Sequence, residues 1–418
     1  MRLPSWNRYP DRFALVLLAI GLLLLAVELI NGRFWLNDFR VYYGAANALL
    51  HGEPLYGVAH GLDSGIFKYA PFMAVLFVPF ALLPYTLAAI VFYLVILAAF
   101  IAAVLRADKL DREHLPGDRT GQYVPLFLTA LIGIVHLHRE LHLGNINVIL
   151  LLALLVALDL LVQRRILQSG IVLGAVMMAK PHFVVLLPLL LLHREFRATI
   201  TALLTAVVCV GVPTIFLGFA RTIDLHAQWF TEMAKHNAVL IYTSGSERNA
   251  INTVYSFLHR AFIDFFTPEP FAMEPLVILG LIASAFGSFV IHNLRRSSVK
   301  GDSSGFVFAY LWLVALVPSI TLTDTEHFLF ALPLVAFIVH ALLSGSRPRW
   351  LLWLAIPILF GYGGNWEDAL GPLSDVMINY GVLGIANLGL LSLSIHLFLR
   401  NRSNTVSRSV SNDRSTAP

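Results

Sequence analysis

The sequence predicts an all-α, polytopic integral membrane protein. Of its 418 residues, 58% are hydrophobic and only 13% charged, whereas soluble domains are roughly half apolar and about a quarter charged. Apolar runs of about twenty residues recur along the whole chain, each long enough to cross a bilayer as a helix. These runs are continuous rather than alternating. That favours helices over a closed barrel, the other structure that satisfies backbone groups in lipid.

The net charge of +4 does not argue for nucleic acid, because the basic residues cluster at the ends of apolar runs. Cys209 is the single cysteine, so no intramolecular disulfide forms, and inside an apolar run it reads as a small buried hydrophobe. Arg2, Arg8 and Arg12 precede the first run. It is too long for a secretory signal and lacks a small-residue cleavage site, so an uncleaved signal anchor is expected.

In chain order, the first helix is expected over 13–30. A mixed loop follows over 32–84, with a short helix over 41–50 and an apolar segment over 71–83 too short for a full span, so both are read as interfacial. A full helix over 86–105 leads to the hydrophilic stretch 106–122. Basic residues beside helix ends favour the cytoplasm. The clusters around Arg106, Arg164, Arg194, Arg295, Arg347 and Arg400 therefore all read as inside. Runs at 124–137 and 145–162 follow, and the stretch between Arg165 and Arg194, basic on both flanks, reads as a hairpin broken at Lys180–Pro181. Further helices are expected over 199–219, 275–293, 305–320, 328–343, 350–363 and 376–399, about twelve in all, with both termini inside. Residues 1–400 are read as one transmembrane domain and 401–418 as a disordered cytoplasmic tail.

This topology gathers the unusual residues on the outer side: the Asp38 loop, the His138–Asn147 turn, the large loop 220–274, the Thr321–His327 connection and residues 365–375. Asp38 just precedes a helix, where it either caps the first amides or takes a proton from a substrate hydroxyl, and the two roles are compatible. Tyr42, Tyr43 and Tyr69 follow it in the same outer loop, and with His142 they are read as substrate-binding. His136, His138 and His142 invite a metal reading, but their spacing fits no standard zinc pattern. Asn145 and Asn147 read as hydroxyl binders or turn formers. Lys180 interrupts an apolar stretch, which makes it a functional candidate or a snorkelling helix-end lysine. Asp324, Glu326 and His327 join two apolar helices, where they form a solvated turn or bind sugar hydroxyls, a phosphate or a metal. In the large loop, Trp229, Lys235, His236, Arg248, Asn249, Tyr255 and Arg260 mix aromatics with cations. That mixture suits a sugar phosphate at a membrane surface, and equally plain headgroup contact.

The run from Asp38 to Tyr56 reads Asp-Phe-x-x-Tyr-Tyr-x-Ala-Ala-x-x-Leu-Leu-x-Gly-x-x-Leu-Tyr, and Phe67–Lys68–Tyr69–Ala70–Pro71 follows. With the Gly144–Asn145–Ile146–Asn147 turn and the Gly-rich, Lys180–Pro181-broken stretch 170–192, this order resembles the family 87 glycosyltransferases of the GT-C superfamily over roughly residues 10–400. The resemblance implies a GT-C fold and a polyprenyl-phosphate mannose donor. It makes Asp38 the catalytic base and His327 the outer-loop histidine. Departures are Ala70 for a usual proline, Asn145 for a glutamine, and Asn249–Ala250–Ile251–Asn252 for an Asn-Gln-Ser element.

A lipid-phosphate sugar leaves as a phosphate monoester that cations can stabilise, and the chain has no Asp-x-Asp pair of the kind that holds a metal for nucleotide sugars. The expected reaction is one inverting displacement, with Asp38 taking the acceptor proton and Lys180, His327, Arg248 or Arg260 stabilising the departing phosphate. Its partners would be the lipid donor, a glycolipid or glycan acceptor and membrane lipids, with no cofactor, metal or nucleic acid. The expected place is the plasma (inner) membrane, with the site facing outward. A transporter or flippase of a lipid-linked sugar would share the broken helices and the buried lysine, but would centre on mid-membrane charge rather than on Asp38.

Overall fold

The structure, a computed structural model, describes residues 9–62, 65–117, 123–242, 303–320, 324–344 and 348–415. The helix expected over 275–293 lies outside them. The described residues form helices joined by turns and irregular connections, and carry no β-strand, only a single bridge between Ala59 and Ile66. Among the described residues, five helices are long and apolar enough to cross a membrane, a bent pair makes a sixth, and six shorter apolar helices accompany them. The protein is a multi-pass, all-α membrane protein. Two compact units emerge, Met1–Ala103 with Leu137–Thr243, and Val104–His136 with Ser244–Pro418.

In the first unit, α1 (Tyr9–Ile30) starts earlier than its apolar run. Helix α2 (Asn37–His51) is entered through Leu36 in the left-handed region at φ 41°, with no side-chain cap. Asp38 therefore sits inside the first turn, and the capping role open to it in sequence is not the one it takes. Helix α2 ends at Gly52, φ 71°, where the amides of Gly52 and Glu53 both donate to the Ala48 carbonyl. Helix α3 (Pro71–Ala81) begins with Pro71, whose missing N–H costs nothing there. Phe39 of α2 stacks on Phe92 of α4 (Tyr85–His114) at 4.7 Å and meets Phe80 of α3 edge-on at 5.7 Å, while Tyr42 lies 4.8 Å from Phe77. Such pairs add about 0.5–1.5 kcal/mol each beyond their buried area. They fasten α2, the carrier of Asp38, onto its neighbours.

The expected hairpin is present. Helix α7 (Asn147–Val162) precedes α8 (Ile166–Ala179). Lys180 is an extended break at φ −138°, a 3-10 turn (Pro181–Val185) and α9 (Leu186–Leu192) return the chain, and α10 (Phe196–Gly211) follows. Arg164, after α7, donates to Glu195, after α9, at 2.9 Å. The two basic flanks thus meet at the end of the hairpin away from Lys180. Beyond α10, α11 (Pro213–Leu217) is set off by Pro213, and α12 (Phe219–Tyr242) makes the start of the large expected loop helical. Trp229 of α12 donates to the Lys68 carbonyl at 3.1 Å.

In the second unit, α4 runs past the expected stop at Leu105 as far as His114. The hydrophilic stretch stays helical because its charges find partners: Arg112 grips Asp108 at 2.9 and 3.0 Å, and His340 reaches Asp108 at 2.7 Å. Helix α5 (Tyr123–Ile132) and α6 (Ile134–Leu143) form the bent pair, turning by 55° at Gly133. Helix α13 (Ser304–Ile320) leads to a 3-10 turn (Thr325–Ala331) and α14 (Leu332–Leu343). The span Thr325–Leu343 is 89% buried, so it forms this unit's core, whereas Tyr9–Ile30 in the first unit is only 22% buried.

Helices α15 (Arg349–Gly363), α16 (Glu367–Leu370), α17 (Pro372–Asn379) and α18 (Val382–Ser415) complete the unit. The single helix expected over 376–399 is interrupted at Gly381, φ 63°. Helix α18 then continues to Ser415, through residues read from composition as disordered. Asn387 of α18 donates to Ser319 Oγ at 2.8 Å and to the Ala315 carbonyl at 3.1 Å. Such interhelical polar bonds, worth about 1 kcal/mol in membranes, tie α18 to α13.

Candidate active site

The site is built on α2, which is amphipathic. One face carries the buried residues Phe39, Tyr42, Ala45, Ala46 and Leu49. Asp38 is half-buried beside that face. The turn between α6 and α7 is short. It passes through Gly144 at φ 69°, and a Cβ there would come within 2.8 Å of Phe39 Cβ and 2.9 Å of Leu36 Cδ2. Only glycine lets the turn lie directly on the start of α2.

The result of that approach is one connected polar network. Asn145 donates through Nδ2 to Asp38 Oδ2 at 2.6 Å, and its Oδ1 accepts the Ile146 amide at 2.7 Å and the Tyr42 hydroxyl at 3.3 Å. The hydroxyls of Tyr42 and Tyr69 are 3.0 Å apart, and the Tyr69 carbonyl accepts from Tyr56 at 2.7 Å. These bonds leave the Asn145 amide one consistent orientation, which places its N–H on the carboxylate. A charge-assisted bond of this kind contributes about 1.5–3 kcal/mol. Burial, joined by the nearby Tyr69 and Asp38, raises the Tyr42 phenol well above its ordinary pKa of 10.0. Tyr42 is therefore a protonated donor at every working pH.

A second network lies deeper in the same unit. Glu140 of α6 has no exposed surface, and its two oxygens accept the Val148 amide and Asn147 Nδ2, each at 2.9 Å. Asn147 Oδ1 in turn accepts Lys180 Nζ. Helix α6 thus supplies the cap that the first turn of α7 lacks. Lys180 is 7% exposed, so the snorkelling alternative does not describe it. Sequence reasoning passed over Glu140, although an acid in a membrane-depth helix is itself a signal. It missed Glu28 in the same way. Glu28, in the last turns of α1, meets His142 Nδ1 at 3.3 Å, and the two line a small pocket with His138 and the apolar Leu24, Phe34 and Leu141.

Other expected residues hold different partners. Tyr43 donates to the Leu83 carbonyl at 2.8 Å and so locks the turn after α3. His136 lies between two carbonyl oxygens, Thr325 at 2.8 Å and Tyr362 at 2.9 Å, the geometry of a staple inside the second unit. Glu326 is buried and His327 Nδ1 lies 3.5 Å from its Oε1, again in the second unit. Arg248, Asn249 and Arg260 lie outside the described residues.

The arrangement offers a half-buried, oriented carboxylate with phenols around it and a buried cation in the same unit. That is the equipment of a proton acceptor for a hydroxyl nucleophile with an anion-binding group in reserve. The model of glycosyltransferase family 87 matches residues 67–322. The chain is 26% identical over 371 residues to the polyprenol-phosphate-mannose-dependent alpha-(1-2)-phosphatidylinositol pentamannoside mannosyltransferase of Mycolicibacterium smegmatis, covering 83% of this chain and 84% of that enzyme. It is 24% identical over 394 residues to the enzyme of the same description from Mycobacterium tuberculosis, covering 88% and 85%. An alpha-(1->3)-arabinofuranosyltransferase of Corynebacterium glutamicum matches at 28% identity over 47% of this chain and 45% of that enzyme.

Proposed function

The chain belongs to glycosyltransferase family 87, and from that premise we propose that it transfers mannose from a polyprenyl-phosphate-mannose donor to a hydroxyl of a glycolipid or glycan acceptor, with inversion. The donor class follows from the two relatives aligned over most of both chains, whose names carry it. Those names also make a lipid-anchored mannoside a guide to the acceptor. The single observation that carries the mechanism is the Asn145–Asp38 bond, which presents an oriented carboxylate at a partly open position.

Asp38 accepts the proton of the acceptor hydroxyl as its oxygen attacks the anomeric carbon. The bond from that carbon to the phosphate oxygen breaks, and the polyprenyl phosphate departs with the electron pair. Tyr42 and Tyr69 donate to sugar hydroxyls or keep the Asp38–Asn145 pair in register. Lys180 stabilises the phosphate as charge builds on it, and His327, Arg248 and Arg260 are the other cations proposed for that task. The basic loop ends support an active face on the extracytoplasmic side of the plasma (inner) membrane.

The test is transfer of radiolabelled mannose from polyprenyl-phosphate mannose in membranes expressing the wild type or Asp38→Asn at equal abundance. A labelled glycolipid made by the wild type alone is expected, since loss of a general base lowers rate by roughly 10²–10⁴-fold. Equal labelling by the variant removes Asp38 from the chemistry. Labelling by neither, with acceptor lipid supplied, removes the mannose donor.

A further inference from the structure

The proposed reaction uses one carboxylate, Asp38, yet the first unit buries others, and Glu140 is the most deeply buried of them. Glu140 has no solvent contact, and Lys180, 7% exposed, stands at the break between α8 and the 3-10 turn. Each is costly to bury as an ion without a counter-charge. They are joined through one side chain: Asn147 donates its amide N–H to Glu140 and offers its carbonyl oxygen to Lys180. The reverse amide orientation would set N–H against ammonium and oxygen against carboxylate. The two ions therefore dictate the direction of the amide, and the amide dictates where the ammonium points.

We infer that Glu140 is a positioning residue for the transfer reaction: acting through Asn147, it holds the Lys180 side chain and aims its ammonium at the donor phosphate. This rests on the reading of Lys180 as a phosphate ligand. Three helices meet in the relay, since Glu140 is on α6, Asn147 opens α7 and Lys180 closes α8. The Val148 amide, bonded to the other oxygen of Glu140, fixes that carboxylate to the start of α7.

The relay predicts a charge-swap rescue. In Glu140→Gln the donor end of Asn147 loses its carboxylate, and Lys180 loses the negative charge it reaches through that amide. In Asn147→Asp two carboxylates stand side by side. In the double variant, the glutamine introduced at position 140 keeps its carbonyl for the Val148 amide. Its N–H donates to the aspartate introduced at position 147, whose carboxylate then accepts from Lys180. The three bonds of the relay return, with the negative charge moved one side chain closer to the lysine.

The experiment is donor-dependent mannosyl transfer by the purified full chain, wild type, both single variants and the double, normalised to folded protein by thermal melting. Each single variant is expected to raise the donor KM by roughly tenfold or more, with a smaller change in kcat, and the double to return within a few-fold of wild type. A donor KM unmoved in Glu140→Gln overturns the inference. So does a double variant that folds without recovering KM, or one that fails to fold despite carrying the same set of bonds. A wild type that transfers no mannose removes the functional reading instead, so the two failures are distinguishable.

Discussion

Replacing Gly144 by alanine tests whether the turn between α6 and α7 creates the site. The backbone there has φ 69°, and the new Cβ would stand 2.8 Å from Phe39 Cβ, 2.9 Å from Leu36 Cδ2 and 3.0 Å from Leu36 Cβ. Left-handed backbone costs an L-residue about 1–2 kcal/mol. Relieving contacts this short costs about 1–3 kcal/mol more. Stiffening the unfolded chain returns about 0.4–1 kcal/mol, so a net loss of about 1–5 kcal/mol follows. Relief moves the turn away from α2 and stretches the 2.6 Å Asn145–Asp38 bond. Displacements approaching an ångström at a reacting group cost about a hundredfold in rate, so kcat per folded molecule should drop at least tenfold.

Gly32→Ala is the matched control, because its φ is 65° and nothing lies within 4 Å of the new Cβ. It should show the backbone cost alone, about 1 kcal/mol, with transfer unchanged. Thermal melting in detergent and the mannose-transfer rate of both variants measure the two quantities. Equal stability losses in the pair, with transfer intact in Gly144→Ala, would refute the claim that close approach of this turn builds the site.

Tyr42→Phe removes a hydroxyl bonded to Tyr69 and Asn145. It should cost about 1–2 kcal/mol of stability and lower kcat more than donor KM. The raised folded pKa of Tyr42 means its stabilisation is complete below pH 10 and is lost as pH climbs above that value toward the folded pKa. Melts from pH 9 to 11.5 should therefore fall less steeply for Tyr42→Phe than for wild type. Gly174→Leu sets a Cβ 2.4 Å from the Ala202 carbonyl oxygen and 2.6 Å from Thr205 Cβ. Backbone cannot yield there, so α8 and α10 must part, at about 3 kcal/mol, with a higher donor KM as Lys180 moves. Asp108→Asn breaks the buried contacts to Arg112 and His340. It should lower the melting temperature by the equivalent of about 3 kcal/mol while transfer per folded molecule stays at wild-type level.

Run length and charge placement are local properties, which is why the spans near 13–30, 305–320 and 350–363 could be read from the chain within a few residues. Lys180–Pro181 announced its own break, since proline disfavours helix in the residue before it. The reading stopped short wherever an end is decided by a distant partner. Helix α4 outruns Leu105 because Asp108 meets His340 from far along the chain. Asp38 gave up the cap because the chain enters α2 through a left-handed Leu36, with Asn37 turned to the Leu62 amide.

Taken alone, then, the sequence settled that this is a helical membrane protein, and the order of its motifs pointed to the family 87 glycosyltransferases, because hydropathy and motif order need no third dimension. Tertiary structure decided which polar residues become partners. Asn145 reaches Asp38 across 107 positions and Asn147 joins Glu140 to Lys180. A hydrogen bond requires two atoms to meet within about 3 Å, and only the packing of α2, α6, α7 and α8 brings those atoms together.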